Sequence, residues 1–336
     1  MITLAQAGLG AWGQNHFRAF SNLKEVYLKI ACDKRESILN NIASAYSGKL
    51  KLTSDFNDIL ADKDVEGVIV ATPSATHAEL AIKALYAGKH VFVEKPLALN
   101  IKDAEAMIKL ARKNKRILMV GHLLLYHPAV RQLKSYMEKS ILGDLHYMYS
   151  TRVNLGQVRA EENALWSLTA HDISVAIYLL GQMPVEASAT GKAYIRDKVQ
   201  DVVFVTLNFK DDIMVHIHAG WLDPHKIRQF TIVGSKKMVV FDDMQNTEKI
   251  RIYDKGFDWK RNFETYDNFL TLREGDIHIP KLDMAEPLKL ECQHFADCIK
   301  KGETPLTDGR NGLAVLKVLT AAQTSLDKRG EAVKIE

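Results

Sequence analysis

Three glycines near the start of the chain have the types and spacing to do chemistry. Gly8-Leu9-Gly10-Ala11-Trp12-Gly13 is a GxGxxG run that directly follows the apolar stretch Ile2 to Ala7. The glycines of such a run serve three ends, namely a tight turn, a close backbone approach, and tight packing of the next helix on the strand. The helix that follows presents free N–H groups and the positive end of its dipole, which suits a pyrophosphate. Asp33 lies twenty residues past Gly13, at the end of a second apolar run. A carboxylate there can accept hydrogen bonds from both hydroxyls of a ribose. This order of strand, turn, helix, strand and acid predicts a dinucleotide site that prefers NAD, since Asp33 would repel a 2′-phosphate. Lys34 and Arg35 can hold such a phosphate, so NADP stays open as a second cofactor.

Another chemical group is Lys95, in Val93-Glu94-Lys95-Pro96-Leu97. Ligands of open α/β sheets bind at the carboxyl ends of strands, and Lys95 closes the apolar run that starts at His90. A lysine before a proline has a constrained backbone and a long cationic side chain, suited to orienting a hydroxyl.

These groups need a frame. Five apolar runs, Ile2 to Ala7, Tyr27 to Cys32, Gly67 to Ala71, His90 to Val93 and Ile117 to Val120, alternate with helical patterns. That alternation predicts βαβ units and a parallel sheet buried on both faces, a Rossmann domain over residues 1–121. Thr76 with Glu79 has the capping-box spacing, and Asn100 can cap the helix after Leu99. Beyond Gly121 the pattern becomes a helix from Pro128 to Glu138, then runs of β character from Gly143 to Phe241 interrupted by a helix over Thr169 to Leu180. Period-two alternation, as in Val203, Val205, Leu207 and Phe209, predicts a largely antiparallel sheet with one covered face. Residues 122–336 therefore read as an α+β domain. Asp254 to Glu286 is polar and weakly periodic and reads as irregular, with helices following over Glu286 to Lys301 and Asp308 to Leu326.

The 336 residues suit two domains, with 47% apolar and 26% charged residues, as in soluble globular proteins. The net charge of +4 is scattered without a basic run, so nucleic acid and membrane surfaces are not expected partners. Cys32, Cys292 and Cys298 form no CxxC or zinc spacing and read as reduced packing thiols. With no signal-peptide pattern at Met1 and no membrane-length apolar run, a cytoplasmic location is expected. His216 and His218 share a strand face, but no third ligand is evident, so no metal is predicted. The chain carries no GxxxxGK phosphate loop and no GxSxG elbow, which speaks against kinase and hydrolase chemistry.

The glycine run, Val70-Ala71-Thr72-Pro73-Ser74-Ala75-Thr76-His77 and Glu94-Lys95-Pro96 together resemble the Gfo/Idh/MocA family, named for glucose-fructose oxidoreductase and inositol dehydrogenase. Gly143-Asp144-Leu145 and the Asp308-Gly309 helix extend the likeness over nearly the whole chain. The resemblance implies a Rossmann domain followed by an α/β domain on an open, mainly antiparallel sheet whose exposed face supports a homodimer or homotetramer. It also implies oxidation or reduction of a secondary alcohol on a sugar or cyclitol, with Lys95 near the nicotinamide. Thr72, Pro73, His77, Glu94 and His122 join Lys95 as candidate cofactor contacts at the strand ends.

Family enzymes commonly read Asp-x-Gly-x-His-x-x-Asp where this chain has Ser167, Thr169, His171 and Ser174. His171 falls on the histidine, and the carboxylates are missing. Asp172 is adjacent, but successive helical residues point about 100° apart, so it is no direct replacement. Hydride loss from a carbinol carbon requires proton loss from its hydroxyl, and imidazole suits that role at neutral pH. We assign His171 as proton acceptor and Lys95 as the orienting cation, with the reverse assignment open.

Around this site Gly121 to Pro128, Arg152 to Arg159 and Glu161 to Trp166 look most like the nucleotide-sugar branch, whose members oxidise the C3 hydroxyl of UDP-linked N-acetylhexosamines or their uronic acids. Arg159, ahead of Arg152, is a candidate for a diphosphate or carboxylate, and Asn154 and Tyr126 for sugar hydroxyls. A free sugar or inositol is the alternative substrate. A catalytically silent NAD-binding regulator is the alternative from another class.

Overall fold

The computed structural model describes residues 1–46, 49–156, 162–261 and 268–335. Its first elements are β1 (Ile2–Ala7), α1 (Ala11–Ser21), β2 (Val26–Cys32), α2 (Glu36–Ala45), β3 (Lys51–Thr53) and α3 (Asn57–Ala61). β4 (Gly67–Val70), α4 (His77–Tyr86), β5 (His90–Glu94), α5 (Ile101–Lys113) and β6 (Leu118–Gly121) follow. The six strands form one sheet in the order β3-β2-β1-β4-β5-β6, with every pairing parallel. This is the expected Rossmann sheet. Leu4, Ile30, Ile69, Phe92 and Val120 are all fully buried, which is why its strands read as unbroken apolar runs. Strand order reverses between β1 and β4, so the glycine run after β1 opens into the crevice where such sheets bind ligands.

Of the two predicted caps, Asn100 performs as expected, its Oδ1 accepting from the Asp103 N–H at 2.9 Å. Thr76 does not cap α4; its hydroxyl lies 2.8 Å from Thr72 Oγ1 and from the Pro73 carbonyl.

The second half begins with α6 (Pro128–Glu138), β7 (Leu145–Val153), α7 (Ala170–Leu180), β8 (Glu186–Lys192), β9 (Val202–Asn208) and β10 (Met214–Gly220). It continues through β11 (Ile227–Gly234), β12 (Met238–Asp242), β13 (Ile250–Arg261) and β14 (Asn268–His278). The chain then runs through α8 (Pro287–Lys301), α9 (Gly309–Asp327) and β15 (Val333–Lys334). Nine strands make a sheet in the order β14-β13-β12-β11-β7-β10-β9-β8-β15, antiparallel except where β7 meets β10. Val203, Val205 and Leu207 are buried on one face while Phe204, Tyr147 and Tyr149 are exposed on the other. On that outer face His218 stacks on Phe204 at 4.5 Å and His216 bonds Thr206.

Of the segment expected to be irregular, residues 254–261 and 268–278 belong to the β13–β14 pair, 279–286 carry no helix or strand, and 262–267 lie outside the described residues. Phe257 and Leu272, opposite one another, are both largely exposed, so beyond the buried Ile250 and Ile252 the pair shows little apolar alternation. Arg273 bridges to Asp258 at 2.6 Å and to Asp254 at 3.3 Å, holding the hairpin with charges rather than apolar contact.

Compactness divides the chain otherwise than at Gly121. One unit is 1–127 with 285–316, and the other is 128–284 with 317–336. α8 belongs to the first unit, where Phe295 packs on Phe20 and Phe92 at ring distances of 6.3 and 5.8 Å.

Candidate active site

The glycine run forms a cradle. Gly8 has φ of +91°, and a β-carbon there would collide with the Ala71 carbonyl. A β-carbon at Gly13 would collide with the Gly8 carbonyl, whereas at Gly10 the nearest atom is an Arg35 guanidinium nitrogen 3.5 Å away. Gly8 and Gly13 therefore shape the turn, and Gly10 leaves an open backbone face. α1 begins beyond it with no side-chain cap and no acidic residue in its first turn, so its positive end is left for an anion. Buried Gln6 holds the turn from beneath, its amide donating to the Gly8 carbonyl at 2.9 Å and the Gly13 carbonyl at 2.7 Å.

Asp33 is buried and occupied. Its Oδ2 accepts from the Leu9 N–H at 2.8 Å and from Arg35 Nη2 at 3.0 Å, and its Oδ1 accepts from Arg35 N and Nε at 3.0 Å each. Burial alone would raise its pKa, but the Arg35 and Leu9 donors outweigh that and hold it below the ordinary carboxylate range. The Arg35 side chain is 60% exposed and can swing away. Lys34 is exposed beside it. These residues fit a dinucleotide: the open backbone from Gly8 to Gly13 would hold its pyrophosphate and Asp33 would accept from its ribose hydroxyls.

At the end of β5, Glu94 is a hub. Its Oε1 accepts from Trp12 Nε1 and from His16 Nε2, the latter at 2.5 Å, and its Oε2 accepts the Lys95 N–H at 3.0 Å. Burial opposes ionisation, yet His16, Lys95 and Trp12 prevail and keep it a carboxylate. Lys95 is half-buried. Glu94 thus ties Lys95 to the glycine turn through Trp12. Behind it Glu291 is fully buried with neither oxygen hydrogen-bonded among the described residues, and burial and the Glu94 charge push its pKa well up. Burial therefore favours the neutral form of Glu291.

Two residues expected at the cofactor, His77 and His122, make bracing hydrogen bonds. His77 is buried, with Nδ1 2.8 Å from the Pro96 carbonyl and Nε2 2.9 Å from the Thr72 carbonyl, so it joins the loops after β4 and β5. His122 is buried against Asn311, Nδ1 to Oδ1 2.7 Å, and desolvation lowers its pKa to about 4. Tyr126, expected at a sugar hydroxyl, is fully buried with its hydroxyl 3.0 Å from Thr307 Oγ1. Asn311 and Thr307 come from remote sequence and give no local signal.

In the second unit a π-helical turn, Leu165–Thr169, leads into α7 and the half-buried His171. Ser167, Thr169 and Ser174 are buried, and Ser174 Oγ donates to the His171 carbonyl at 2.7 Å. Asp172 turns away into a buried, bidentate pair with Arg152, 2.7 Å from Nε and 3.1 Å from Nη2. Arg152 is thereby committed, which removes it as a receptor for a substrate anion. Asn154 is half-buried just after β7, and Arg159 lies outside the described residues. Among the described residues no group of three His, Cys, Asp or Glu is arranged to hold a metal ion, and no helix is long and apolar enough to cross a membrane.

Comparison with known proteins gives the same picture. A model of the oxidoreductase family's NAD-binding Rossmann fold matches residues 2–122, and one of its C-terminal alpha/beta domain matches residues 156–335. The chain is 27% identical to myo-inositol 2-dehydrogenase of Thermotoga maritima over 340 residues, covering 98% of this chain and 97% of that protein. It is 24% identical to UDP-N-acetylglucosamine 3-dehydrogenase of Acidithiobacillus ferrooxidans over 265 residues, 79% of this chain and 80% of that protein. The fold of levoglucosan dehydrogenase, solved in complex with NADH, superposes with a TM-score of 0.84 at 20% identity, covering 100% of this chain and 99% of that one. With both of its halves matched, the chain belongs to the Gfo/Idh/MocA family of NAD-binding oxidoreductases.

Proposed function

We propose that the chain oxidises a secondary hydroxyl of a sugar, the C3 hydroxyl of a UDP-linked N-acetylhexosamine or its uronic acid. The observation that carries the dehydrogenase reading is the Glu94 hub, which joins Trp12 of the glycine turn to the backbone of Lys95 and supports Lys95 as the group near the nicotinamide. Bound NAD supplies the hydride acceptor. Lys95 orients the hydroxyl and favours its ionised form, and His171 takes the proton from the hydroxyl oxygen. The nucleotide-linked substrate is supported by the Acidithiobacillus relative. The full-length likeness to the Thermotoga inositol dehydrogenase favours a free polyol as the second reading.

NADH formation with UDP-N-acetylglucosamine, its uronic acid and myo-inositol separates the two. Turnover of myo-inositol alone would exclude the nucleotide-sugar reading. Lys95→Ala and His171→Ala are expected to bind NAD and lose turnover, and full activity in both would overturn their roles. If no substrate turns over and NAD binding alters association with another protein, the regulator reading replaces this one.

A further inference from the structure

We infer that Arg228 binds an anionic group of the substrate, a phosphate or a sugar carboxylate. The inference rests on the sugar-dehydrogenase reading above. Arg228 of β11 stands directly opposite Arg152 of β7 in antiparallel register. Directly opposed residues share a sheet face, so both guanidinium groups rise on the face where Asp172 of α7 meets Arg152. The fork of Arg152 is filled by Asp172, at 2.7 and 3.1 Å. Arg228 is half-buried, and among the described residues its guanidinium has no hydrogen-bond or ion-pair partner. The charges that act on it are Arg152, Asp243 and Asp172. Asp172 is committed to Arg152, and Lys249 Nζ lies 3.4 Å from the Asp243 carboxylate.

Arg152 is answered by Asp172 and Asp243 lies near Lys249, which leaves the Arg228 guanidinium without a hydrogen-bonded counter-charge among the described residues. Like charges directly opposed across a sheet are destabilising, and a half-buried cation without a partner is costly. Burial and the Arg152 charge both work to discharge Arg228, lowering its pKa from the ordinary value. An incoming oxyanion relieves both penalties, and the planar guanidinium fork matches phosphate or carboxylate in two parallel hydrogen bonds. Asp172, whose charge acts on Arg228, follows His171 on α7, which ties Arg228 to the helix that carries the proposed base.

The test compares wild type, Arg228→Gln and Arg228→Lys by KM and kcat. UDP-N-acetylglucosamine carries only phosphate, glucuronate only carboxylate, and myo-inositol neither. The ratio of KM for an anionic substrate to that for myo-inositol is expected to rise tenfold or more in Arg228→Gln, with a smaller rise in Arg228→Lys. A rise confined to UDP-N-acetylglucosamine assigns a phosphate, and one confined to glucuronate assigns a carboxylate. An unchanged ratio overturns the inference while the dehydrogenase reading stands. If the wild type oxidises none of the three, that reading falls and binding decides Arg228. UDP or glucuronate should then raise the melting temperature of wild type and not of Arg228→Gln, and equal or absent shifts in both overturn the assignment.

Discussion

His16 Nε2 stands 2.5 Å from Glu94 Oε1 inside the first unit, one helical turn past the glycine cradle. His16 is fully buried, with its ring 5.1 Å from that of Phe92 and its Nδ1 3.9 Å from Cys292 Sγ. Removing one partner of such a pair leaves a buried carboxylate short of a donor, and the neighbouring buried Glu291 adds no counter-charge. His16→Leu is expected to lower the unfolding free energy by about 3 kcal/mol, read from urea midpoints. An effect near zero would show that Trp12 and the Lys95 N–H suffice to hold Glu94.

The three glycines are expected to fail in different ways. Gly13→Ala drives a methyl group into the Gly8 carbonyl, where only backbone movement can relieve it, so the melting temperature should fall even without cofactor. Gly10→Ala meets nothing closer than a mobile arginine 3.5 Å away, so the melting temperature should hold while the Kd for NAD rises. Equal loss of stability in both variants would contradict the cradle.

The first sheet is readable from sequence because both of its faces are buried, and apolar runs such as Gly67 to Val70 then coincide with strands. β13 and β14 are less so, since beyond the buried Ile250 and Ile252 none of the described apolar side chains in the hairpin is buried, and Arg273 with its two aspartates spans it. At the site, the glycine run, Asp33 and Lys95 stand out as candidates because local spacing defines them. The partner of Tyr126, Thr307, is 181 residues away, and no pattern near Tyr126 reveals it. Gln6 does leave a trace, as a lone amide inside an apolar strand immediately before the glycine turn.

Cofactor choice turns on Arg35, which covers the Asp33 oxygens that ribose hydroxyls would use. An ion pair with so exposed an arginine is worth only about 0–1 kcal/mol, so it yields readily to a ligand. Arg35→Ala should tighten NAD slightly and weaken NADP strongly, because a 2′-phosphate loses its cation and still meets the Asp33 charge. Dissociation constants for both cofactors check this, and an unchanged ratio would locate the discrimination elsewhere.

Acid sensitivity should report on His122. Desolvation holds its pKa near about 4, against about 6.5 for an unfolded histidine, while the bond to Asn311 works the other way. The native state therefore carries it neutral, and the unfolded chain takes up a proton first as pH falls. Stability linked to this group is complete above about pH 6.5, is lost between about 6.5 and 4, and changes no further below that. The full loss is on the order of 3 kcal/mol. His90, half-buried with a pKa also lowered to about 4 by desolvation, adds in the same direction and remains in any single variant. His122→Gln can still donate to Asn311 and does not titrate, so the stability difference between wild type and variant should change by that amount across the window. Parallel pH profiles for the two proteins would mean that His122 is already protonated in the fold, and its burial against Asn311 would then need another explanation.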